Sequence, residues 1–494
     1  MSYLVVDYGT SSCRASLVDE LGSIVSSCRK SVSVLNDGHT AEIDTGKAWS
    51  TVSSVIRELL EKNHKPEIRA VGVSSLLGWV FLDSGNRPLG NSIIWMDSRS
   101  SGCLDSEIMK EKDLVYKKTG RRLSPELLIS KLAWLRANNP DLLECTAKII
   151  SLKDELLRRL TGEIVTDYAH LNYTMLWNIG EHRMDADMLE LAGVSPSLLA
   201  EGGYPYEQAG RISPEAAAAT GLRKGLPVIL GAIDGTTAMY GGGIATASSG
   251  TLVSGTTDVF MTLLDAAELE ALGNNDVLTV NTGMLPGFFA AGGSTGVSGG
   301  ALTKMSELLG GDSSDLLEGA SKVPPGADGL LFCPGLTGER APYWNADISG
   351  SFIGLRMNHE RGHIIRALME GAAFRLKRLF LELFGNTSGP ERIFTVGGCS
   401  NIELWNSLKA DVTGMTLIKP AELEATTIGT ALFCECFFNG ADKMSSVSGK
   451  WLKPDTVYSP VQVNNILYND LFRIYEQFIK TNIGNYAALS SFKG

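Results

Sequence analysis

A group of acidic, hydroxyl and basic side chains follows the first apolar run of the chain, which Asp7 ends. The residues after it that suit phosphate binding are Gly9, Thr10, Ser11 and Arg14. A glycine beside hydroxyl residues in a tight turn forms a concavity of amide groups that binds anions, and Arg14 adds a planar fork for phosphate oxygens. Because a carboxylate repels bare phosphate, Asp7 would act through a divalent cation and its waters. This pattern predicts a phosphate-binding hairpin; the alternative is an ordinary first hairpin with a polar turn.

A second acid, Asp234, also ends a buried apolar run, where a helix of small residues begins. A carboxylate held at such a junction can come within ~2.6–3.2 Å of a bound hydroxyl, which is the reach that a general base needs. An N-cap aspartate has the same pattern. The sequence therefore predicts either a general base or a helix cap at this position.

The opening pattern of strand, glycine-hydroxyl turn and strand recurs in the second half of the chain, at Gly255 and Thr256. Further on, a buried strand ends in Gly397 and Gly398, and Asn401 follows before the next helix. Glycines at a strand-to-helix junction let the backbone approach a flat ring or a ribose. The two hairpins predict two related α/β halves that face one nucleotide.

Polar and aromatic side chains follow two other buried strands, and they are Trp79, Trp95, Asp97 and Arg99. Ligands of open α/β sheets bind beyond the carboxyl ends of the strands. An indole offers an apolar platform for a sugar ring, and aspartate and arginine bind hydroxyls. These residues are predicted to face a substrate, unless the two tryptophans belong to the core.

The elements that position these residues must form more than one domain, because 494 residues exceed the ~100–200 typical of one domain. Three consecutive glycines at 241–243 mark a natural break, so we predict an N-terminal domain over residues 1–240 and a C-terminal domain over 241–494. Buried strands alternate with helices in both halves, which indicates an α/β fold.

Composition excludes several classes of protein. The formal net charge of −11 and the absence of a basic cluster argue against nucleic-acid binding. No apolar run reaches the ~18 residues that span a bilayer, and no secretion signal is recognisable at the start. Eight scattered cysteines and six dispersed histidines predict neither a disulfide framework nor a zinc site. We therefore expect a cytoplasmic protein that does not bind membranes.

Taken together and in order, these motifs resemble the FGGY carbohydrate kinases, a family that includes glycerol kinase, xylulokinase and gluconokinase. The motifs that carry the resemblance are Asp7-Tyr8-Gly9-Thr10 with Arg14, Trp95-Met96-Asp97-Ser98-Arg99, Asp234-Gly235, Ser254-Gly255-Thr256-Thr257, Gly338-Glu339-Arg340-Ala341-Pro342-Tyr343-Trp344 and Gly397-Gly398-Cys399-Ser400-Asn401. The resemblance implies two actin/Hsp70-like (ribonuclease H-like) domains, with ATP and sugar in the cleft between them. It also implies that the domains close over the substrate and exclude water.

The resemblance implies a role for each matching position. Asp234 matches the base that takes the proton of the sugar hydroxyl, and Asp7 matches the acid near Mg²⁺, which it would contact through water. The positions implied to bind ATP are Gly9, Thr10, Ser11 and Arg14 in the first phosphate loop, Gly255 and Thr256 in the second, and Gly397, Gly398 and Asn401 with Gly299 and Gly300 around the adenosine. Those implied or expected to bind the sugar, besides Asp234, are Ser75, Trp79, Trp95 and Asp97.

The chain departs from the family pattern where the substrate is read. Xylulokinases carry a Gly-Gln-Met-His-Gly-type loop where residues 75–79 are Ser-Leu-Leu-Gly-Trp, while the context of Asp234 is nearer to gluconokinases. We expect an ATP-dependent phosphotransferase acting on a ketopentose such as D-xylulose, with gluconate or another sugar acid or polyol as the alternative. Outside this class, the chain would be a non-catalytic ATP-binding regulator of the actin/Hsp70 type. A homodimer is left open.

Overall fold

The first large sheet has six strands, and the opening strand Ser2–Tyr8 lies near its centre. In the computed structural model, which describes residues 1–103, 110–246, 248–273, 275–385 and 389–492, that strand is covered on both faces. Leu4 and Val6 pack into one apolar cluster with the helix Thr45–Lys62. Tyr3 and Val5 point the other way and pack on the helix Ala425–Asn439. Burial on both faces explains why this strand is a continuous apolar run.

The strand order of the first sheet is repeated in a second, seven-stranded sheet. In each sheet, three antiparallel strands are followed by two strands that are parallel to the first. Ser249–Ser254 in the second sheet takes the place that Ser2–Tyr8 has in the first. The two glycine-hydroxyl turns therefore join equivalent strands, as expected of related halves.

One helix crosses from the second half of the chain to the first sheet. The strands of the two large sheets lie within residues 2–229 and 249–458. The domain boundary at residue 240 stays a prediction. Ala425–Asn439, however, packs on the first sheet, where an added methyl group at Gly72 would lie 2.6 Å from the Thr430 side chain. A division at residue 240 would therefore leave a helix of the C-terminal half in contact with the first sheet.

The described residues form two large sheets and four smaller ones. The strands of the first large sheet, in spatial order, are Gln208–Arg211, Pro227–Ile229, Ile68–Ser75, Ser2–Tyr8, Ser12–Asp19 and Ile24–Ser31. Those of the second are Thr279–Thr282, Phe288–Val297, Thr257–Asp265, Ser249–Ser254, Arg392–Val396, Leu417–Pro420 and Pro454–Tyr458. A five-stranded sheet contains Leu35–Asn36, Ala41–Ile43, Ser92–Ile94, Gly78–Leu82 and Lys148–Ser151. The two-stranded sheets pair Val165–Asp167 with Glu201–Gly203, Trp177–Asn178 with Arg183–Met184, and Leu331–Cys333 with Ser351–Ile353.

Helices cover the sheets and carry several of the predicted site residues at their ends. The α-helices are Thr45–Lys62, Lys112–Thr119, Leu128–Asn138, Pro140–Glu144, Leu152–Thr161, Tyr168–Tyr173, Ala186–Ala192, Pro214–Thr220, Asp234–Gly241, Ala266–Leu272, Gly299–Leu309, Ser313–Ser321, Arg361–Phe384, Glu403–Thr413, Ala425–Asn439, Met444–Trp451 and Gln462–Ser490. Short 3₁₀ turns are Arg99–Cys103, Pro196–Leu198, Ala327–Gly329, Gly398–Asn401 and Ala441–Lys443. Among the described residues, none of these helices combines the length and the apolar character needed to cross a bilayer.

Candidate active site

Two carboxylates meet at the carboxyl edge of the first sheet. Asp7 and Ser74 are paired neighbours on parallel strands. One residue further on, Ser75 forms a parallel bridge with Ile233, which directly precedes Asp234. Three neighbouring parallel segments therefore end together, and they bring the two predicted acids to the same edge.

The electrostatics of the two acids confirm that they are close. Burial, together with the negative charge of Asp234, raises the pKa of Asp7 to about 7, against the opposing effect of Arg14. Burial also raises the pKa of Asp234 to about 6, although the amide of Gly235 and the ring of His170 act in the opposite direction. Both side chains are nevertheless partly accessible. Both carboxyls therefore hold their protons more tightly than ordinary aspartates do.

The first turn presents its backbone and hydroxyls to open space. The Gly9 amide donates to the Ser12 carbonyl over 2.9 Å and closes the turn. A methyl group at Gly9 would lie 3.3 Å from that oxygen, which leaves little room for any other residue. Ser11 is exposed, and the Thr10 hydroxyl accepts a hydrogen bond of 3.2 Å from the indole of Trp95.

Arg14 lies on the strand after this turn, but its guanidinium is not free. It forms an ion pair with Glu424, the residue just before the helix Ala425–Asn439. The expected phosphate contact would therefore require Arg14 to exchange this carboxylate for a phosphate. The ion pair also links the first hairpin to the C-terminal half.

The second turn is held by glycines from another element. The Gly299 amide donates to the Gly255 carbonyl over 3.0 Å, and the Gly300 amide donates to the Thr256 carbonyl over 3.1 Å. A methyl group at Gly299 would lie 2.5 Å from the Gly255 oxygen. Two backbone segments that lie so close require glycine, so the structure brings these four predicted positions together.

The glycine pair Gly397-Gly398 borders the turn at Gly255 and Thr256. Gly397 has a φ of 92°, and a side chain there would lie 2.7 Å from the Ser254 carbonyl oxygen. Around Gly398 no atom lies within 4 Å of an added methyl group, and Asn401 is exposed. The open space at Gly398, beside this turn, suits the approach of a nucleotide.

A buried ion pair under the second turn was missed by the sequence analysis. Lys409 donates to the Ser254 hydroxyl over 2.7 Å and to Asp258 over 2.9 Å, and Ser298 donates to Asp258 over 3.0 Å. All four side chains are buried. In the sequence, this ion pair was indicated only by Lys409, a charged residue among the apolar positions of the helix Glu403–Thr413, which also contains Trp405.

Three of the predicted sugar contacts are enclosed by the protein. Trp79 is 2% exposed, lies in an apolar cluster with Phe81 and Ile93, and donates its indole N–H to the Glu126 carbonyl over 3.1 Å. Ser75 is also fully buried. A contact of either residue with a sugar stays a prediction, although the five-stranded sheet packs this segment into the core. Asp97 is the third enclosed residue.

Asp97 is 1% exposed and organises its surroundings. It accepts hydrogen bonds from the Ala41 amide at 3.0 Å, from Arg99 at 2.8 Å and from Lys131 at 3.1 Å. Burial alone would raise its pKa, but these donors outweigh burial and lower it. The direct contact between Asp97 and a sugar stays a prediction, whereas Trp95, two residues earlier, is 49% exposed.

A second buried cluster lies beside the segment that leads to Asp234, and the sequence analysis did not identify it. The ligand atoms of Asp154, Asp167 and His170 lie within 4.8 Å of one another, a spacing that would suit a metal ion. The ammonium group of Lys153 already lies 2.9 Å from Asp154 and 3.1 Å from Asp167. We therefore assign no metal to this cluster, whose positive charge is a lysine.

Two family models match most of the chain, and they name the family that the sequence motifs resemble. The N-terminal domain model of the FGGY family of carbohydrate kinases matches residues 2–241, and the C-terminal domain model matches residues 250–435. A gluconokinase of Bacillus subtilis is 28% identical over 100% of this chain and 98% of its own. A xylulose kinase of the same organism is 26% identical over the whole of both chains.

Solved structures match over the whole length as well. The ligand-bound xylulose kinase from Lactobacillus acidophilus superposes with a TM-score of 0.91 at 25% identity and covers 99% of both chains. The gluconate kinase from the same organism also has a TM-score of 0.91, at 24% identity, and covers 99% of this chain and all of that one. The predicted fold of two actin/Hsp70-like domains is confirmed by these matches.

Proposed function

Because the chain belongs to the FGGY family of carbohydrate kinases, we propose that this ATP-dependent sugar kinase phosphorylates a hydroxyl of a small neutral sugar, a ketopentose such as D-xylulose. As a member of the family it is a phosphotransferase with an alcohol acceptor. This excludes the alternative of a non-catalytic ATP-binding regulator. The acceptor and the roles of individual residues form the proposal.

The proposal of a neutral acceptor rests on the ion pairs that the cationic side chains near the site already form. Lys131 and Arg99 both bind Asp97, and Arg14 binds Glu424. Each of these three cations already has a carboxylate partner within the described part of the chain. A sugar acid needs a counter-charge or several donors for its carboxylate, whereas a ketose needs only partners for its hydroxyls.

Asp234 is proposed as the general base. With a pKa of about 6 it is mostly ionised at neutral pH, yet basic enough to take a hydroxyl proton during transfer. As the sugar oxygen bonds to the γ-phosphorus, the bond from that phosphorus to the ADP oxygen breaks, and the hydroxyl proton moves to Asp234. Positioning and charge stabilisation supply most of the remaining catalysis.

Asp7 is proposed to act with Mg²⁺ through bound water. The residues present fit such an ion, because two carboxylates lie close enough for the charge of Asp234 to raise the pKa of Asp7, and Mg²⁺ prefers oxygen ligands. The ion would neutralise phosphate oxygens during transfer. The ion would thereby keep Asp7 ionised at about pH 7, where the buried carboxyl without the ion is half protonated.

The nucleotide is proposed to lie across both turns. Residues 10, 11 and 256 would contact the phosphates through their hydroxyls, since the Gly9 and Gly255 amides already donate to the Ser12 and Thr257 carbonyls. The adenosine would lie against Gly397, Gly398 and Asn401, next to the first turn of the helix Gly299–Leu309. Among the predicted sugar contacts, Trp95 remains in the proposal because its ring is accessible.

Gluconate is the second candidate acceptor, and the relatives favour it. Gluconokinases of Bacillus subtilis and Bacillus licheniformis are 28% and 29% identical to this chain. At such identity, homologous positions can bind different acceptors. D-gluconate is therefore tested beside D-xylulose as an acceptor.

The first test is ADP release with Mg·ATP against D-xylulose, D-gluconate and a panel of other ketoses and polyols. We expect the highest kcat/KM with a neutral ketose, and a higher value with D-gluconate would overturn the choice of acceptor. Asp234→Asn should lower kcat by about 10²–10⁴-fold and leave ATP binding intact. Asp470→Asn, at an exposed position on the last helix, is the matched control. Near-full turnover in Asp234→Asn would show that another group is the base.

A cytoplasmic location and a homodimer remain predictions within this proposal. The seven cysteines whose side chains are described are all free thiols, which fits a reducing compartment.

A further inference from the structure

His170 has one ring nitrogen fixed by a carboxylate. Its helix, Tyr168–Tyr173, begins after Asp167, whose carboxylate accepts the amides of Ala169 and His170. The other oxygen of Asp167 lies 2.5 Å from Nδ1 of His170. Burial alone would raise the pKa of Asp167, but His170 and Lys153 hold it at about 2. An ionised carboxylate only accepts, so Nδ1 carries the proton.

The other nitrogen has no partner among the described residues. His170 is 1% exposed, and its Nε2 is buried without a hydrogen bond. A buried ring nitrogen that lacks a partner destabilises the folded protein. Nε2 accepts a hydrogen bond from an O–H group when the ring is neutral and donates one to a hydroxyl oxygen when the ring is protonated, so a hydroxyl group is a suitable partner in either state.

The cluster lies against the segment that ends in the proposed base. Lys153 bonds both Asp167, at 3.1 Å, and the carbonyl of Leu230, at 3.0 Å. Leu230 begins the short run that leads to Asp234. His170 in its protonated form would lower the pKa of Asp234, so the ring lies within electrostatic reach of that carboxylate. The unpaired Nε2 of His170 is thus near the place where an acceptor must bind.

We infer that Nε2 of His170 is a substrate-binding group that forms a hydrogen bond with a hydroxyl of the sugar, other than the hydroxyl that Asp234 deprotonates. The inference rests on the proposed function. A metal is not proposed as the missing partner, because the Lys153 ammonium already lies at ion-pair distance from both Asp154 and Asp167. The contact makes His170 a residue that selects acceptors carrying a hydroxyl at the matching position.

The direct test observes the ring itself. In protein labelled with ¹⁵N-histidine, long-range ¹H–¹⁵N spectra report the ring nitrogens of six histidines. Titration of wild-type protein with D-xylulose, and separately with D-gluconate, is expected to shift Nε2 of His170 with whichever sugar is turned over. The signal is assigned by its loss in His170→Asn, or in His170→Gln if the first variant does not fold. No shift at saturating concentration of a sugar that is turned over would overturn the inference.

Kinetics provide the second readout. His170→Asn should raise KM for the sugar about 10-fold, the effect of losing one hydrogen bond in a buried site, and leave KM for ATP within about 2-fold. His64→Asn, at an exposed position, is the control. Equal rises in both KM values, or no rise for the sugar, would overturn the inference while wild-type turnover upheld the proposed function. If wild-type protein turns over no sugar, the proposed function fails, and the inference fails with it.

Discussion

Gly429 packs directly on the carbonyl group of Thr237, and a methyl group at Gly429 would lie 2.0 Å from that oxygen. Thr237 belongs to the helix that Asp234 begins. At the end of the same helix, a methyl group at Gly241 would lie 1.9 Å from the Ala425 carbonyl oxygen. The helix of the proposed base therefore lies backbone to backbone on a helix from the other half of the chain.

Gly429→Ala is expected to displace the helix Asp234–Gly241, because no side chain can move aside to admit the methyl group. Overpacking of this kind costs about 1–3 kcal/mol of stability, and kcat should fall with it. Gly484→Ala is the control, since it lies in the helix Gln462–Ser490 with no atom within 4 Å of the added methyl group. Thermal unfolding and ADP release measure both effects. Unchanged kcat and unfolding in Gly429→Ala would refute the tight contact.

Trp79→Ala and Trp95→Ala separate a core tryptophan from one at the site. Trp79→Ala should lower the free energy of unfolding by about 3–5 kcal/mol, since the indole is enclosed in an apolar cluster. Trp95→Ala should change stability little, because its ring is half exposed, and should raise KM for the sugar more than KM for ATP. Urea unfolding and steady-state kinetics distinguish them. A larger stability loss in Trp95→Ala than in Trp79→Ala would contradict this assignment.

These two tryptophans show where sequence reasoning stops. Both follow buried strands, and only the pairing of the five-stranded sheet determines that Trp79 turns inward while Trp95 reaches the Thr10 hydroxyl. The turns at Gly9 and Gly255 were predictable because their chemistry is local: glycine, hydroxyls and a strand on each side. Asp167 and His170 were not, since their roles depend on partners that are distant in sequence. Lys153, for example, donates to a carbonyl 77 residues away.

The helix Ala425–Asn439 makes the same point for the domains. Its apolar residues predict a buried helix, but nothing in their spacing says which sheet they cover. The structure places Ile428 and Ala431 against Tyr3 and Val5. A division drawn from a run of glycines reflects chain order, whereas packing depends on which apolar surfaces remain uncovered.

Asp7→Asn is expected to stabilise the protein increasingly as pH rises. The folded-state pKa of Asp7, about 7, lies above its ordinary value, so the folded wild-type protein binds a proton that the unfolded chain has lost. Wild-type stability therefore falls between about pH 4 and pH 7, whereas an amide does not ionise. The measurement is the difference in thermal midpoint, Asp7→Asn minus wild type, at intervals across this range. A difference that stays constant or shrinks with pH would show that the pKa of Asp7 is not raised.

Lys409→Met tests the ion pair under the second turn. It leaves Asp258 buried without its cation, which should cost about 3–5 kcal/mol of stability. The lost bond to the Ser254 hydroxyl should also loosen the turn, and KM for ATP should rise more than KM for the sugar. Lys450→Met, at an exposed position on the helix Met444–Trp451, is the matched control.

The double variant Lys409→Met/Asp258→Ala separates the two effects. Removing both charges relieves the unpaired carboxylate, so part of the lost stability should return. KM for ATP should stay raised, because the Ser254 hydroxyl still lacks its lysine partner and the turn has lost its acceptor at Asp258. Urea unfolding and ATP kinetics of the two single variants and the double variant complete the cycle. If KM for ATP recovers together with stability, the ion pair supports the fold in general and not the geometry of the turn.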